Sequence, residues 1–155
     1  MQSVPRSLKN NFLGLDYATR TITLADAGTG KFSTSTMSNT ALALTRCLLH
    51  PQLTKNQVVY ISDFATTQAE LVAALERVGG EPWTRRSYDS AKAIEEYQTR
   101  HAAGDPAAVY KLIEIGFVTG KYGGWLEEKE KMWNEVLGLP AAELDDVAKH
   151  AIDAM

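Results

Sequence analysis

The residues best spaced for chemistry are Tyr88 and Lys92, in the run Tyr88-Asp89-Ser90-Ala91-Lys92. Tyr-x-x-x-Lys is one helical turn. On a helix it sets an ammonium beside a phenol, lowers the phenol pKa and lets the phenol give a proton to a substrate carbonyl. Such a reduction also needs a hydride donor, and nothing upstream of Tyr88 offers a cofactor site. Tyr88 itself reads as the end of an edge strand, with Asp89 capping the helix behind it. The pair is therefore a catalytic candidate set against a plainer role, a surface tyrosine in front of a capped helix.

The search for a cofactor site turns on glycines. Gly28-Thr29-Gly30-Lys31 has the tail of a phosphate loop, but Ala25 stands where the first glycine belongs. Phe32 replaces the Ser or Thr that would hold magnesium. Gly28-x-Gly30-x-x-Ser33 falls short of a dinucleotide fingerprint, and no G-x-G-x-x-G or G-x-x-G-x-x-G occurs in the 155 residues. Without glycine-opened amides at a helix N-terminus a pyrophosphate has no cradle. The expectation is that this chain alone binds no cofactor.

Metal and thiol chemistry find equally little. His50, His101 and His150 lie far apart near predicted helix ends, where they serve as dipole partners. Cys47 sits in an apolar helix as a small core residue, and no Cys/His cluster has zinc spacing. No metal site is expected. Tyr110, Phe117, Tyr122 and Trp125 bracket the glycine-rich loop Gly120-Lys121-Tyr122-Gly123-Gly124. Their two readings are helix packing and a mobile lid over an apolar pocket. In the second reading Tyr88, Tyr110 or Tyr122 would anchor the polar end of a hydrophobic metabolite.

A formal net charge of −3 argues against a general nucleic-acid binder. No apolar run approaches membrane-span length, and no signal peptide is legible, so a cytoplasmic protein without membrane contact is expected.

The elements that must position these residues run strands first and helices last. Residues 1–10 read as a flexible N-terminus and 11–155 as one domain. Arg20 to Ala25 alternates as a strand, and Lys31 to Thr36 reads as its hairpin partner. Ser38 or Asn39 caps a helix to about Leu49 that is apolar on nearly every side and therefore expected to be buried. Val58 to Ile61 reads as a buried strand. Thr67 and Glu70 make a capping box for a helix whose apolar face is Leu71, Val72, Leu75 and Val78, stopped at Gly79-Gly80. Pro82 to Tyr88 is an edge strand. Helices follow over Asp89–His101, from Asp105-Pro106 onward, over Trp125–Leu137 and from Pro140 onward. In the second of these Val109, Tyr110, Leu112, Ile113 and Phe117 form the apolar side. The predicted fold class is α/β: a small, partial Rossmann-like sheet with a hairpin, followed by a C-terminal helical cluster.

Several runs together resemble a family. Asn11-Phe12-Leu13-Gly14-Leu15-Asp16, Ala25-Asp26-Ala27-Gly28 and Lys31-Phe32-Ser33-Thr34-Ser35-Thr36 look like the second half of fungal NmrA-like, isoflavone-reductase-like proteins. So do Val59-Tyr60-Ile61-Ser62-Asp63-Phe64, Thr66-Thr67-Gln68, Glu81-Pro82-Trp83 and Leu137-Gly138-Leu139-Pro140. The likeness covers about residues 10–153 and rests on the order and spacing of these runs. Members of this atypical short-chain dehydrogenase branch have an N-terminal Rossmann half that binds NAD(P)(H) and a C-terminal part that builds the substrate pocket. The resemblance thus implies NADP(H), a small aromatic or polyketide-like substrate, and a chain that begins after the cofactor half. Pocket residues carried over are Asn11, Phe12, Leu13 and Phe64, with Tyr110, Phe117, Tyr122 and Trp125 around the lid. Expected partners are a small hydrophobic metabolite and either a second copy or a complementing Rossmann chain.

Overall fold

The computed structural model describes residues 12–153; the expected flexible segment 1–10 and the candidate Asn11 lie outside them. The fold is mixed α/β. Strand β1 (Leu15–Asp16) runs antiparallel to β2 (Thr21–Ala25), which pairs in parallel with β5 (Thr84–Tyr88), giving the order β1-β2-β5. A second sheet joins β3 (Phe32–Thr34) to β4 (Phe64–Thr66), antiparallel, with Ser33 opposite Ala65. The helices are α1 (Met37–Leu49), α2 (Pro51–Thr54), α3 (Gln68–Gly79), α4 (Ser90–Ala102), α5 (Ala107–Val118) and α6 (Leu144–Asp153).

Local signals place α3. Thr67 accepts from Glu70 N, and the Glu70 carboxylate accepts from Thr67 N at 2.9 Å, completing the box. Gly80 closes the helix at φ 69°, a left-handed conformation that suits glycine. The buried Leu71, Val72 and Leu75 then meet Leu15, Ile22, Phe32 and Trp83 in one core, which Ala148 and Ala151 of α6 complete. Tyr17 packs edge-on against Trp83, ring centres 5.2 Å apart. Gln68, the first residue of α3, is fully buried in this core. Its Oε1 accepts from Ala25 N at 2.8 Å, and its Nε2 donates to Leu13 O at 2.9 Å and Thr23 O at 3.2 Å. One side chain thereby locks the helix to the segment entering β1 and to β2.

Several expectations are corrected. The hairpin in the sheet is β1–β2, closed over residues 17–20; Lys31–Thr36 does not return along β2 but pairs with β4. Val58–Ile61 is not a buried strand: Val58 is exposed, and Tyr60 makes one isolated parallel bridge to Met132. A β-branched run reports fitness for a pleated, half-buried surface, and β3 pairs instead with the next segment, β4. Helix α1 is capped by Thr36, and only Asn39 and Ala43 are buried; Leu44, Leu48 and Leu49 are 63%, 74% and 68% exposed. Its anchors are polar: the Asn39 amide donates to Asp63 at 2.8 Å and to Pro140 O at 2.9 Å. Trp125–Leu137 is not a helix beyond the single 3-10 turn Leu126–Glu128.

Tertiary bonds override the helical period in that last segment. Trp133 N donates to Tyr60 O at 2.8 Å, the Asn134 amide pairs both ways with the Ser62 backbone, and the Arg46 guanidinium donates to Leu137 O and Gly138 O. Pro140 O is held by Asn39, and the last helix, α6, starts after it, at Leu144. On α5 the buried stripe is Ala108, Glu114, Ile115 and Val118, while Tyr110 and Ile113 of the predicted apolar side face outward.

Candidate functional site

Helices α4 and α5 pack side by side and leave a cavity of about 520 Å³ between them and the glycine-rich loop. Asp89 starts α4 by accepting from Lys92 N at 3.0 Å; Asp105 starts α5 by accepting from Ala107 N at 3.0 Å. Arg100, in the last turn of α4, holds Asp105 at 2.7 Å and so ties the two helices at the turn. Ile94 and Gln98, one turn apart, form one wall. Leu112, Gly116 and Phe117 form the second, and Tyr122 with Leu126 the third. Phe117 stacks at a tilt on Phe32 (5.0 Å) and Phe12 (5.9 Å), which carries the wall into the core.

The loop side is fixed by close backbone approach. A Cβ on Gly124 would lie 2.5 Å from Phe117 O, and one on Gly30 would lie 2.5 Å from Thr119 O. Ser33 stitches the loop to β3: its N donates to Gly124 O (2.7 Å), its hydroxyl accepts from Leu126 N (2.7 Å) and donates to the Glu127 carboxylate. The expected lid therefore narrows to Tyr122 and Gly123, the first exposed and the second in open space.

Beside the cavity, at the carboxyl ends of the parallel strands β2 and β5, lies a polar cluster. Ser90 donates its N to Asp26 Oδ1 (2.8 Å) and its hydroxyl to Oδ2 (2.7 Å). Lys121 Nζ lies 3.6 Å from the same carboxylate and 3.3 Å from the Ser90 hydroxyl. The Ser90 bonds, with smaller help from Lys121, hold the Asp26 carboxyl below the usual range. A depressed folded-state pKa gives stability that is present above the unfolded pKa and lost as pH falls through the folded one. Asp26→Asn is accordingly expected to lower the urea midpoint at pH 7. It should also flatten the loss of stability below the usual aspartate range; an unchanged acid limb would remove Asp26 from the account.

Tyr88 sits at the end of β5 with its hydroxyl buried and without a partner among the described residues. Burial first, then the charges of Glu114 and Asp26, push its phenol pKa up. Lys92 is 84% exposed and lies 3.7 Å from Asp89. It is not among the groups that act on the phenol; the cation over the Tyr88 ring is Lys111, at 5.4 Å. Lys111 also pairs at 2.8 Å with the buried Glu114, whose carboxyl burial raises against that ion pair.

Of the proposed pocket residues, the structure brings Phe117 and Tyr122 to the cavity wall, with Phe12 stacked behind. Leu13 is core, and its carbonyl belongs to Gln68. Phe64 lines a separate pocket with Thr66 and Arg77. Tyr110 is 74% exposed, and Trp125 is half-buried under Lys31 Nζ at 4.7 Å. Ser33, Ile94, Gln98, Leu112 and Gly116 as wall residues were not foreseen. The signals available were the i, i+4 spacing of Ile94 and Gln98 and a glycine inside an otherwise apolar helix. Among the described residues no group of three His, Cys, Asp or Glu is placed to hold a metal ion. No described helix is long and apolar enough to cross a membrane.

The sequence matches no family profile. It is similar to oxidoreductase aprR of Aspergillus flavus, 29% identical over 141 residues, which cover 88% of this chain and 46% of the relative. The chain is oxidoreductase-like. Oxidoreductase poxI of Penicillium oxalicum is 31% identical over 101 residues, covering 65% of this chain and 32% of that protein. The chain thus spans less than half the length of the curated relatives it matches. In fold it resembles an NADPH-dependent quinone oxidoreductase (QOR2) of Escherichia coli, with a TM-score of 0.61 at 19% identity over 98% of this chain and 53% of that one. The NADPH complex of that enzyme gives 0.60, over 95% and 50%.

Proposed function

We propose that this chain is the substrate-binding portion of an NmrA-like, NAD(P)H-dependent reductase, and that the α4–α5 cavity holds a small aromatic or polyketide-like metabolite. The observation that carries the reading is the cavity itself. Its volume of about 520 Å³ suits a metabolite of two or three rings, and its walls are Phe117, Tyr122, Ile94 and Leu112. Burying an aromatic face against such walls contributes about 25 cal/mol per Å² before association costs.

NADP(H) enters by resemblance, and the described residues do not fit it. A pyrophosphate needs free amides at a helix N-terminus. At α3 those positions are taken by the Thr67–Glu70 box, and at α4 by the Asp89 and Asp26 carboxylates. The reading assigns to this chain the binding and orienting of the substrate, and assigns hydride delivery elsewhere.

Calorimetry of the purified chain with 2-acetylnaphthalene tests the reading. Binding is expected, and Gly116→Leu is expected to weaken it by at least about tenfold (about 1.4 kcal/mol). A Cβ at Gly116 meets Tyr122 at an ordinary 3.6 Å, so the variant keeps its backbone while its side chain fills the cavity. Loss of a helical glycine should meanwhile leave stability equal or higher, by up to about 1 kcal/mol. Unaltered affinity in the variant would place the ligand elsewhere.

A second reading is favoured by the exposed Leu44, Leu48, Leu49 and Val58. There the chain is a stand-alone binder, or a cofactor-independent isomerase or cyclase, that covers this apolar face by forming a homodimer. Sedimentation separates the two: a concentration-independent monomer favours the first reading and a dimer the second.

A further inference from the structure

We propose that the α4–α5 cavity selects neutral aromatic ligands against their carboxylate counterparts, and that Glu127 sets this preference. The inference rests on the reading of the cavity as the substrate site. None of the described residues that line the cavity carries a formal charge. The one hydroxyl on the β3 wall, Ser33, has its proton committed to Glu127 and a lone pair committed to Leu126 N. That wall therefore offers an incoming anion no donor, and it sets a carboxylate one hydroxyl behind the surface. An anion entering here exchanges its hydration for neutral donors only and meets a like charge behind the wall.

The nearby cations are already engaged. Lys121 lies on Asp26 and Ser90, Lys111 on Glu114, Arg100 on Asp105, and Lys31 over Trp125. What remains polar on the lining is neutral, the Gln98 amide and the Tyr122 phenol. Both can donate to a ketone, quinone or amide oxygen. A flat ring between Phe117 and Tyr122, with a carbonyl directed at these groups, satisfies every surface of the site.

The test uses an isosteric pair, 2-naphthamide and 2-naphthoate, titrated calorimetrically into the full chain at neutral pH. The amide is expected to bind and the acid to bind at least about tenfold more weakly. Glu127→Gln keeps an acceptor for Ser33 while removing the charge. It should raise the naphthoate affinity by about fivefold or more and change the amide affinity by less than about twofold. If that variant does not fold, the wild type carries the same information, since added salt should narrow the gap by screening the repulsion. Equal affinities in the wild type would overturn the inference while leaving the cavity as a binding site. A gap unchanged by both Glu127→Gln and salt would remove Glu127 from the role. Binding of neither compound would overturn the cavity reading and the inference together.

Discussion

Gln68→Leu is expected to destabilise the protein by about 3–5 kcal/mol, measured by urea denaturation at neutral pH. The size follows from how many groups one amide serves. Its Oε1 takes Ala25 N, and its Nε2 serves Leu13 O and Thr23 O, in a position with no solvent exposure. Leucine nearly conserves the volume, so the loss is not a cavity effect. It is the cost of leaving a buried N–H and two carbonyls without partners, at about 1–3 kcal/mol for each group that water cannot reach. The same substitution frees the segment before β1, so Phe12 should loosen behind Phe117 and ligand affinity should fall with stability. A loss under about 1 kcal/mol would mean that these backbone groups find other partners and that Gln68 is not the lock described here.

Gly124→Ala is expected to cost about 2–4 kcal/mol and to weaken ligand binding at the cavity. The new Cβ would lie 2.5 Å from Phe117 O, and the obstacle is helix backbone, which cannot rotate away. The loop must back off, and in doing so it breaks Ser33 N–Gly124 O and moves Leu126 from the wall. Gly123→Ala is the control. Its φ is 89°, so alanine there is strained by about 1–2 kcal/mol, but the surrounding space is open and the wall stays in place. The two variants should therefore separate in affinity more than in stability. Equal affinity losses would indicate general softening of the loop rather than displacement of one wall.

What the sequence made legible was local. The Thr67–Glu70 box, the Gly80 stop, the Asp89 cap and the edge position of β5 are each written in a few neighbouring residues, and each is present. Strand partners are not written locally. Lys31–Thr36 had the composition of a returning strand, and only the distant β4 decides which edge it takes. Trp125–Leu137 carries a helical period, but Trp133 N goes to Tyr60 O, the Asn134 side chain to the Ser62 backbone, and Leu137 O to Arg46 instead. Helix α1 shows the limit of hydrophobicity as a burial signal, since its packed face holds Asn39 and Ala43 while three leucines look outward. The aromatic side of the cavity could be anticipated from Phe117 and Tyr122 around their glycines. The polar details could not, because Ser33 meets Glu127, and shares a cavity with Gln98, only after three separate elements are packed.

The most direct measurement is a crystal structure of the chain soaked with 2-acetylnaphthalene. The account predicts density for the ring system between Phe117 and Tyr122, beside Gly116, with the ketone oxygen toward Gln98. Density seated only on the Leu44–Leu48 face of α1, with the α4–α5 cavity unchanged, would contradict it.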